Sequence, residues 1–277
     1  MRNIWLNLLV LSCLIGSSEH AFSQKWEFGL STGISNYHGD LAYNIVPSES
    51  HPAFGAFMKY NLNDYWSYRP AFSFGTISGS DKNFEEYKFR NLDFTSNIYE
   101  FSNVMEFNFL PFGSNVLSKD FTSYVMMGIA VFYHNPKSEF NGTMHELRKL
   151  HTEGQAKRYG TVQVSVPFGV GLKYNINKNW VIGWEVGWRK TFTDYLDDVS
   201  TVYPNLTDHR DEYGGLSADM SDRSWQVDGV GEPLSSGGEM RGDPAFNDYY
   251  FFSMFSIAYR HNPITCWPKY RKQFRIK

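Results

Sequence analysis

The segment from Val181 to Phe192, VIGWEVGWRKTF, alternates between two kinds of side chain. Its bulky apolar residues are Ile182, Trp184, Val186, Trp188 and Phe192. The positions between them include small, charged and hydroxylated residues, namely Gly183, Glu185, Gly187, Arg189 and Thr191. Because successive side chains of a β-strand point to opposite faces of the sheet, this pattern predicts a strand with one apolar face and one face of glycine and charge.

Seven further segments follow the same period of two, which gives eight predicted strands. They are Lys25–Ser35, Ala53–Leu62, Tyr65–Ile77, Ser96–Leu110, Phe121–His134, Arg158–Ile176, Trp180–Thr193 and Asp248–His261. Strands of soluble proteins are usually about five or six residues long. A tilted strand needs about nine to eleven residues to cross the hydrocarbon layer of a bilayer. Every predicted strand reaches that length, which favours a membrane.

The predicted connections alternate between short and long. The short ones are Asn63–Asp64, Pro111–Asp120 and Asn177–Asn179, and the long ones are Asn36–Pro52, Ser78–Thr95, Asn135–Lys157 and Asp194–Asn247. This plan predicts an all-β fold, an eight-stranded antiparallel transmembrane β-barrel with short periplasmic turns and long extracellular loops. A loop as long as the last one is usually functional or disordered, and the sequence leaves both possibilities open.

The two faces of the predicted strands differ sharply in charge. In six strands the register predicted to face lipid holds no charged residue: Trp26, Phe28, Leu30, Ile34; Phe54, Met58, Tyr60, Leu62; Trp66, Tyr68, Phe72, Phe74; Tyr99, Phe101, Met105, Phe107, Phe109; Val125, Met127, Ile129, Val131, Tyr133; Val162, Val164, Val166, Phe168, Val170, Leu172, Tyr174. The opposite register collects the charged residues: Glu27, Lys59, Arg69, Glu100, Glu106, Lys173, Glu185, Arg189 and Arg260.

A membrane barrel explains this division. A charge on the lipid face near the bilayer midplane costs about 2–4 kcal/mol, so we expect every strand to direct its charges inward, where four carboxylates and five cations can pair. An eight-stranded interior is only wide enough to be filled with side chains. We therefore predict a salt-bridged plug, with glycines that make room for it, rather than a pore.

Two features fit this pattern less well. In the last strand Tyr250, Phe252 and Met254 would face inward, and Ser253 would meet lipid. Pro70 and Pro167 lie within strands, and we assign both to the inward register, where each removes a ladder donor and predicts a bulge. A soluble eight-stranded barrel or sandwich would follow the same period with the faces reversed. Strand length and the uncharged aromatic face favour the membrane barrel over that alternative.

The amino terminus has the pattern of a secretory signal peptide. Arg2 precedes an apolar run from Ile4 to Ile15, and the segment Ala21–Ser23 fits a small-x-small cleavage site. The predicted organisation is a signal peptide over 1–23, an outer-membrane barrel over 24–262 and a basic tail over 263–277. A lipoprotein cut at Cys13 is the disfavoured alternative, because apolar sequence continues past that residue.

Charge and cysteine content exclude several classes of protein. The chain carries 26 basic and 29 acidic residues, a balance that gives no reason to expect a nucleic-acid partner. Past the predicted cleavage site only Cys266 remains, so we expect neither an internal disulfide framework nor a cysteine metal cluster. The tail from Cys266 to Lys277 is basic and aromatic. It either contacts a periplasmic partner or the cell wall, or is a solvated, disordered end.

Three aspartates just beyond the seventh strand form the most suggestive polar cluster. Asp194, Asp197 and Asp198 could hold Ca²⁺ through oxygen ligands, but no EF-hand spacing is present, and aspartates that cap the loop backbone are the alternative. A rim histidine, His145, His151 or His209, paired with Asp197 or Asp198 could activate water in a surface hydrolase. No common catalytic motif supports that reading. We expect no cofactor, no metal and no enzymatic activity.

Five segments resemble the PorG-like outer-membrane β-barrel family of Bacteroidetes: NYHGDL (Asn36–Leu41), IYEFSNVMEFNFLPF (Ile98–Phe112), YVMMGIAVFYHNP (Tyr124–Pro136), TFTDYLDDVS (Thr191–Ser200) and RGDPAFNDYYFF (Arg241–Phe252). The resemblance implies a non-enzymatic accessory component of type IX protein secretion and, in some species, gliding motility. It also implies partners among the PorK-type and PorN-type proteins of the periplasmic ring. The alternative is a general OmpA- or OmpX-like structural or adhesive barrel in which the outer loops act.

Overall fold

The computed structural model describes residues 26–113 and 118–261; the predicted signal peptide (1–23) and basic tail (263–277) lie outside them. Ten strands are present: β1 Trp26–His38, β2 His51–Asn61, β3 Trp66–Ser80, β4 Asp93–Asn108, β5 Phe121–Tyr133, β6 Lys137–Phe140, β7 Thr143–Glu146, β8 Val162–Asn175, β9 Trp180–Thr191 and β10 Tyr249–Arg260. Eight of them pair antiparallel in the order β3-β2-β1-β10-β9-β8-β5-β4, and β3 also pairs with β4. The sheet is therefore closed, and the predicted eight-stranded antiparallel barrel is confirmed.

Short turns join the strands at one end of the barrel. Asn63 closes the turn between β2 and β3, because its side-chain oxygen accepts hydrogen bonds of 2.8 Å from the backbone N–H groups of both Tyr65 and Trp66. Asn177 does the same between β8 and β9, with the N–H groups of Asn179 and Trp180 at 2.8 and 2.9 Å. Asparagine favours such turns since its side chain reaches the backbone two residues further on.

Three of the strands extend clearly further than predicted at the opposite, long-loop end. β1 ends at His38 rather than at Ser35, β3 ends at Ser80 rather than at Ile77, and β4 begins at Asp93 rather than at Ser96. The added residues on the outward register, such as Asn36, Ser78 and Asp93, are polar, so apolar alternation on the outer face could not reveal them. Two other strands are shorter than predicted at this end, because β8 begins at Val162 rather than at Arg158 and β9 ends at Thr191 rather than at Thr193.

The outer face of the barrel is apolar and the inner face carries the charges. Leu30 and Ile129 are each 65% exposed, whereas Glu100 and Glu106 are 0% exposed. Soluble proteins show the reverse arrangement for large apolar and charged residues. Lys190 is an exception, because it occupies the outward register of β9 and is exposed. The expectation that every strand directs its charges inward is therefore wrong at Lys190, which lies next to the last residue of β9.

The inward aromatic residues of β10 belong to a core that continues out of the barrel. Tyr250, Phe252 and Met254 are buried together with Tyr37, Ile77, Ile98 and Phe132 of the wall, and with Leu41, Leu196 and Met220 of the long loops. Ser253 faces outward, where its hydroxyl accepts a hydrogen bond of 3.2 Å from the indole N–H of Trp184. The irregular pattern of this strand thus reflects contacts with the loops and with a neighbouring tryptophan.

Neither strand proline is accompanied by a bulge. The β2–β3 register is the same on both sides of Pro70, and the β5–β8 register is the same on both sides of Pro167. The predicted bulges are therefore wrong, and Pro70 lies on the outward register rather than the inward one, two residues from Tyr68 and Phe72. A proline lacks the N–H of one ladder bond, and that loss does not require an inserted residue.

The long connections fold together into a loop cap, which we define as residues 39–50, 81–92, 134–161 and 192–248. It contains the β6–β7 hairpin, whose turn residues Asn141 and Gly142 have φ of 51° and 77°, as a tight hairpin turn requires. It also contains two short helices, α1 Leu206–Tyr213 and α2 Gly215–Ser221. Within the described ranges no helix has both the length and the apolar character needed to cross a membrane.

Candidate functional site

Glu106 is the centre of a charge network inside the barrel. Its carboxylate lies 3.0 Å from Nζ of Lys59 and 2.9 Å from Nε of Arg69, and it also pairs with Lys173. These partners come from β2, β3 and β8, whereas Glu106 is on β4. One carboxylate therefore connects four strands and pairs with three cations.

Two further carboxylates extend this network along the lumen. Glu27 accepts a hydrogen bond of 2.8 Å from Nε of Arg260, and Nζ of Lys59 lies 4.0 Å from its other oxygen. Glu185 lies 2.7 Å from Nη2 of Arg69 and accepts a hydrogen bond of 2.6 Å from the hydroxyl of Tyr124. The network thus runs continuously from Arg260 at the short-turn end to Glu185.

The pair Glu100–Arg189 lies nearer the loop cap. Nε and Nη2 of Arg189 approach the two oxygens of Glu100 at 3.1 and 3.2 Å, which is the bidentate arrangement that favours arginine over lysine. The hydroxyl of Tyr250 donates a further hydrogen bond of 2.8 Å to Glu100, and the guanidinium lies 4.6 Å from the centre of the Phe252 ring. All nine residues proposed for the lumen are buried, and each has at least one ion-pair partner.

Aromatic rings and glycines fill most of the remaining lumen. A Cβ atom at Gly29 would lie 2.2 Å from the Phe57 ring, and one at Gly171 would lie 2.5 Å from the Tyr124 ring. A cavity of about 30 Å³ remains beside Glu185, which is room for about one water molecule. The described part of the barrel interior is therefore largely filled by side chains.

Asp197 and Asp248 share the hydroxyl of Tyr37 at the base of the loop cap. The Tyr37 hydroxyl lies 2.6 Å from Oδ2 of Asp197 and 2.7 Å from Oδ1 of Asp248. Their other oxygens accept hydrogen bonds of 2.9 Å from the N–H groups of Val199 and Leu196. Burial raises the pKa of both carboxyls well above the usual range, and nearby carboxylates raise it further. A tyrosine hydroxyl has one proton to donate, so the second short contact requires a protonated carboxyl.

The three aspartates of the predicted loop site do not converge. Asp198, at φ 70°, faces the hydroxyls of Thr152 and Tyr159, whereas Asp197 faces Tyr37. Burial raises the pKa of Asp198 to about 6 and that of Asp194 to about 7. Among residues 26–113 and 118–261, no group of three or more histidine, cysteine, aspartate or glutamate residues could hold a metal ion. Asp197 and Asp198 instead bind loop donors, which is the alternative that the sequence left open.

The loop cap is organised by Glu153 and Arg241, which the sequence did not single out. Glu153 accepts hydrogen bonds from the N–H groups of Ser200 at 2.8 Å and Thr201 at 3.1 Å, and from Nη1 of Arg241 at 3.1 Å. Arg241 also donates to the carbonyls of Asp198 and Ser221. Both residues lie in segments that contain many other charged residues, so no local sequence signal marks them.

None of the three loop histidines contacts the proposed aspartate partners. His151 Nδ1 lies 2.6 Å from the carbonyl of Gln155, and His209 Nε2 lies 2.7 Å from the hydroxyl of Ser217. His145 is on β7, opposite Ser138 of the β6–β7 hairpin. The described hydrogen bonds therefore do not assemble a histidine–aspartate pair of the hydrolase type.

Several solved structures are similar to this chain in fold. Ail, the attachment invasion locus protein of Yersinia pestis, in complex with the heparin analogue sucrose octasulfate, matches with a TM-score of 0.42 and 12% identity, over 87% of this chain and 100% of that chain. OprG of Pseudomonas aeruginosa matches with a TM-score of 0.40 and 10% identity, over 87% and 98%. The N-terminal β-barrel domain of Pseudomonas aeruginosa OprF matches with a TM-score of 0.38 and 11% identity, over 86% and 99%.

No curated protein matches the sequence. One family model does, over residues 6–222, which is more than half of the chain. This chain therefore belongs to the family described as "Domain of unknown function (DUF6089)".

Proposed function

We propose that this protein is a non-enzymatic outer-membrane barrel of the small structural or adhesive kind, in which the wall anchors the chain and the loop cap binds partners outside the cell. One observation carries the membrane placement: large apolar residues cover the outer wall while nine ionised side chains pair inside. A soluble monomer rarely exposes a contiguous apolar patch larger than about 300–600 Å², and here the apolar surface extends around the barrel.

The strand lengths support the same placement. The shortest wall strand, β2, has 11 residues and the longest, β4, has 16, whereas about nine to eleven suffice to cross the hydrocarbon layer. The surplus length lies at the long-loop end, so the wall continues past the membrane and supports the loop cap. The short-turn end would face the periplasm and the loop cap the exterior.

The surface of the loop cap favours a binding role with a cationic partner. Its longest segment, residues 192–248, contains thirteen acidic residues and three arginines, a net charge of −10 with histidine neutral. Seven of those carboxylates are exposed: Asp208, Asp211, Glu212, Asp228, Glu232, Glu239 and Asp243. A single-sign surface of this kind attracts oppositely charged partners over about one Debye length.

A role in type IX secretion is the second proposal, and the segment resemblance supports it. Three of the five resembling segments meet at the base of the loop cap, through Tyr37, Asp197 and Asp248. As a secretion component the barrel would bind PorK- or PorN-type ring proteins through its periplasmic rim, Pro111–Asp120 and the tail 263–277. Residues 114–117 of that rim and the whole tail lie outside the described residues.

Cysteine labelling of intact cells tests the membrane placement and its orientation. Asp228→Cys, in the loop cap, should react with a membrane-impermeant maleimide on whole cells, whereas Lys178→Cys, in the β8–β9 turn, should react only after permeabilisation. The unsubstituted protein gives the background from its own cysteines. Equal labelling of both variants on whole cells, or recovery in the soluble fraction, would contradict the proposal.

A deletion strain separates the two proposed roles. If the protein is an adhesive or structural barrel, the deletion strain should export type IX cargo normally. Its cells should be retained more weakly on a cationic surface, and the wild-type gene should restore that retention. Neutralising Asp208, Asp211 and Glu212 to amides should lower that retention without altering the barrel. If the protein is a secretion component, the deletion strain should lose cargo export. The same amide variant should then restore export fully, whereas a variant lacking residues 263–277 should not restore it.

A further inference from the structure

An apolar groove of about 560 Å³ lies on the outer wall beneath the first long loop. Its floor is formed by β8, β9 and β10, and its roof by residues 43–45 of the loop cap. Phe251 lies at the bottom: it occupies the outward register of β10, yet it is only 8% exposed. The other outward residues of β10 below it, such as Phe255, are far more exposed. Something specific therefore covers the wall at this height.

The roof is held in place by contacts of its own. Asn36, near the end of β1, donates hydrogen bonds from Nδ2 to the carbonyl of Val46 at 3.0 Å and to the hydroxyl of Ser50 at 2.9 Å. Tyr43 packs on Phe84 of the second loop, with ring centres 4.2 Å apart. These contacts hold the loop over the wall, and Tyr43 and Ile45 remain partly exposed.

Strand register gives the groove an apolar row with a polar row above it. Phe168, Trp188 and Phe251 are paired neighbours on β8, β9 and β10 and form the apolar row. The next outward row towards the loop cap contains Lys190, Tyr249 and His38, which are paired neighbours on β9, β10 and β1. Lys190 is the exposed outward cation noted above. An apolar aromatic row followed by a row that contains a cation matches the depth profile of a membrane lipid.

We propose that the groove binds one anionic membrane lipid, with an acyl chain between the roof and the apolar row and the headgroup phosphate at the polar row. The inference rests on the proposed membrane placement. A lipid is the occupant favoured because the groove is continuous with the apolar wall, so that hydrocarbon already surrounds it. Lys190 supplies the charge that a phosphate requires and that an uncharged hydrocarbon does not.

Native mass spectrometry of the detergent-purified barrel, with dioleoylphosphatidylglycerol as the probe, tests the site. We expect the wild type to retain one phospholipid and Lys190→Gln to retain it about fivefold more weakly. The matched control Lys157→Gln removes an exposed lysine of the loop cap and should retain the lipid like the wild type. Uncharged dioleoylglycerol should bind more weakly than the phospholipid. Lys190→Gln and the wild type should retain it equally.

The roof is tested separately from the charge. Tyr43→Ala with Ile45→Ala should lower retention of both probes, whereas Leu30→Ala, on the open wall, should lower neither. Heat-modifiable migration of every variant checks that the barrel is folded. The site would be overturned if the protein retained a range of lipid numbers that no variant changed. It would also be overturned if inorganic phosphate displaced the bound lipid as well as the phospholipid does. Failure of the wild type to insert into lipid nanodiscs would instead overturn the membrane placement.

Discussion

Arg69 on β3 and Glu185 on β9 meet inside the barrel, with Nη2 of the arginine 2.7 Å from Oε2 of the glutamate. The two strands are not neighbours in the sheet, since β2, β1 and β10 lie between them on one side. Arg69 also contacts Glu106, and Glu185 also accepts from Tyr124. The walls of the barrel are therefore joined through the interior by ion pairs as well as around the circumference by backbone hydrogen bonds.

Removing Glu185 should destabilise the barrel strongly. Glu185→Ala deprives the buried Arg69 of one of its two carboxylate partners. A buried charge left with no partner typically costs about 3–5 kcal/mol, which is the upper limit that we expect here. Asp228→Ala, at an exposed position of the loop cap, should change the free energy of unfolding by less than about 0.5 kcal/mol. Urea unfolding of both variants in lipid vesicles measures the difference. Equal effects would contradict a structural role for the network.

The Glu100–Arg189 pair should be strongly coupled. Glu100→Leu and Arg189→Met each leave one buried charge without its ion-pair partner, so each alone should cost about 3–5 kcal/mol. The double variant removes both charges and should cost clearly less than the sum of the two. The same unfolding experiment, arranged as a double-mutant cycle, gives the coupling energy. An additive double variant would mean that the pair contributes no net interaction.

The loop cap should be more stable in mild acid than at neutral pH. The pKa of Asp194 is raised to about 7 and those of Asp40 and Asp198 to about 6, mainly by burial. The folded loop cap therefore holds protons that the unfolded chain releases. The stabilisation is complete below the unfolded pKa of about 4 and is lost as the pH rises towards about 7.

Hydrogen exchange of residues 193–200, corrected for the intrinsic rate, measures this dependence. Protection should fall from pH 5 to pH 7.5 in the wild type. Asp194→Asn has no carboxyl to ionise at that position and should make the profile less steep, mainly between pH 6 and pH 7.5, while Asp40 and Asp198 still contribute near pH 6. Protection that rises with pH over this range would have the wrong sign for carboxyls with raised pKa values.

Asn36 should hold the first loop against the wall. Asn36→Ala removes three side-chain hydrogen bonds, two of them to Val46 and Ser50 of the loop and one from the N–H of Tyr37, and should cost the loop about 1–3 kcal/mol of local stability. We expect faster hydrogen exchange over residues 43–50 with little change in the barrel strands. Asn83→Ala, which removes one exposed contact to Glu49, is the matched control. If hydrogen exchange over residues 43–50 became faster to the same extent in both variants, Asn36 would not be a specific anchor of the first loop.

The barrel could be predicted from the sequence because period-two alternation depends only on which side of a strand each residue faces. The loop cap could not, since its contacts join distant segments, such as Glu153 with Arg241. Helix α1 did leave a local signal: Asn205 precedes it and its side chain accepts from the N–H of Thr207 at 3.1 Å, a common N-cap. Lys190 lies on the outward register of β9, which the expectation that all charges face inward could not predict.

The claim that the apolar wall faces lipid is tested most directly at Met127, at the middle of β5 and 63% exposed. Met127→Arg should destabilise the barrel in vesicles by about 2–4 kcal/mol, because the charge enters the bilayer. Leu234→Arg, at a loop-cap position that is 58% exposed, should have almost no effect. If Met127→Arg is instead tolerated as well as Leu234→Arg, the wall faces water and the membrane placement is wrong.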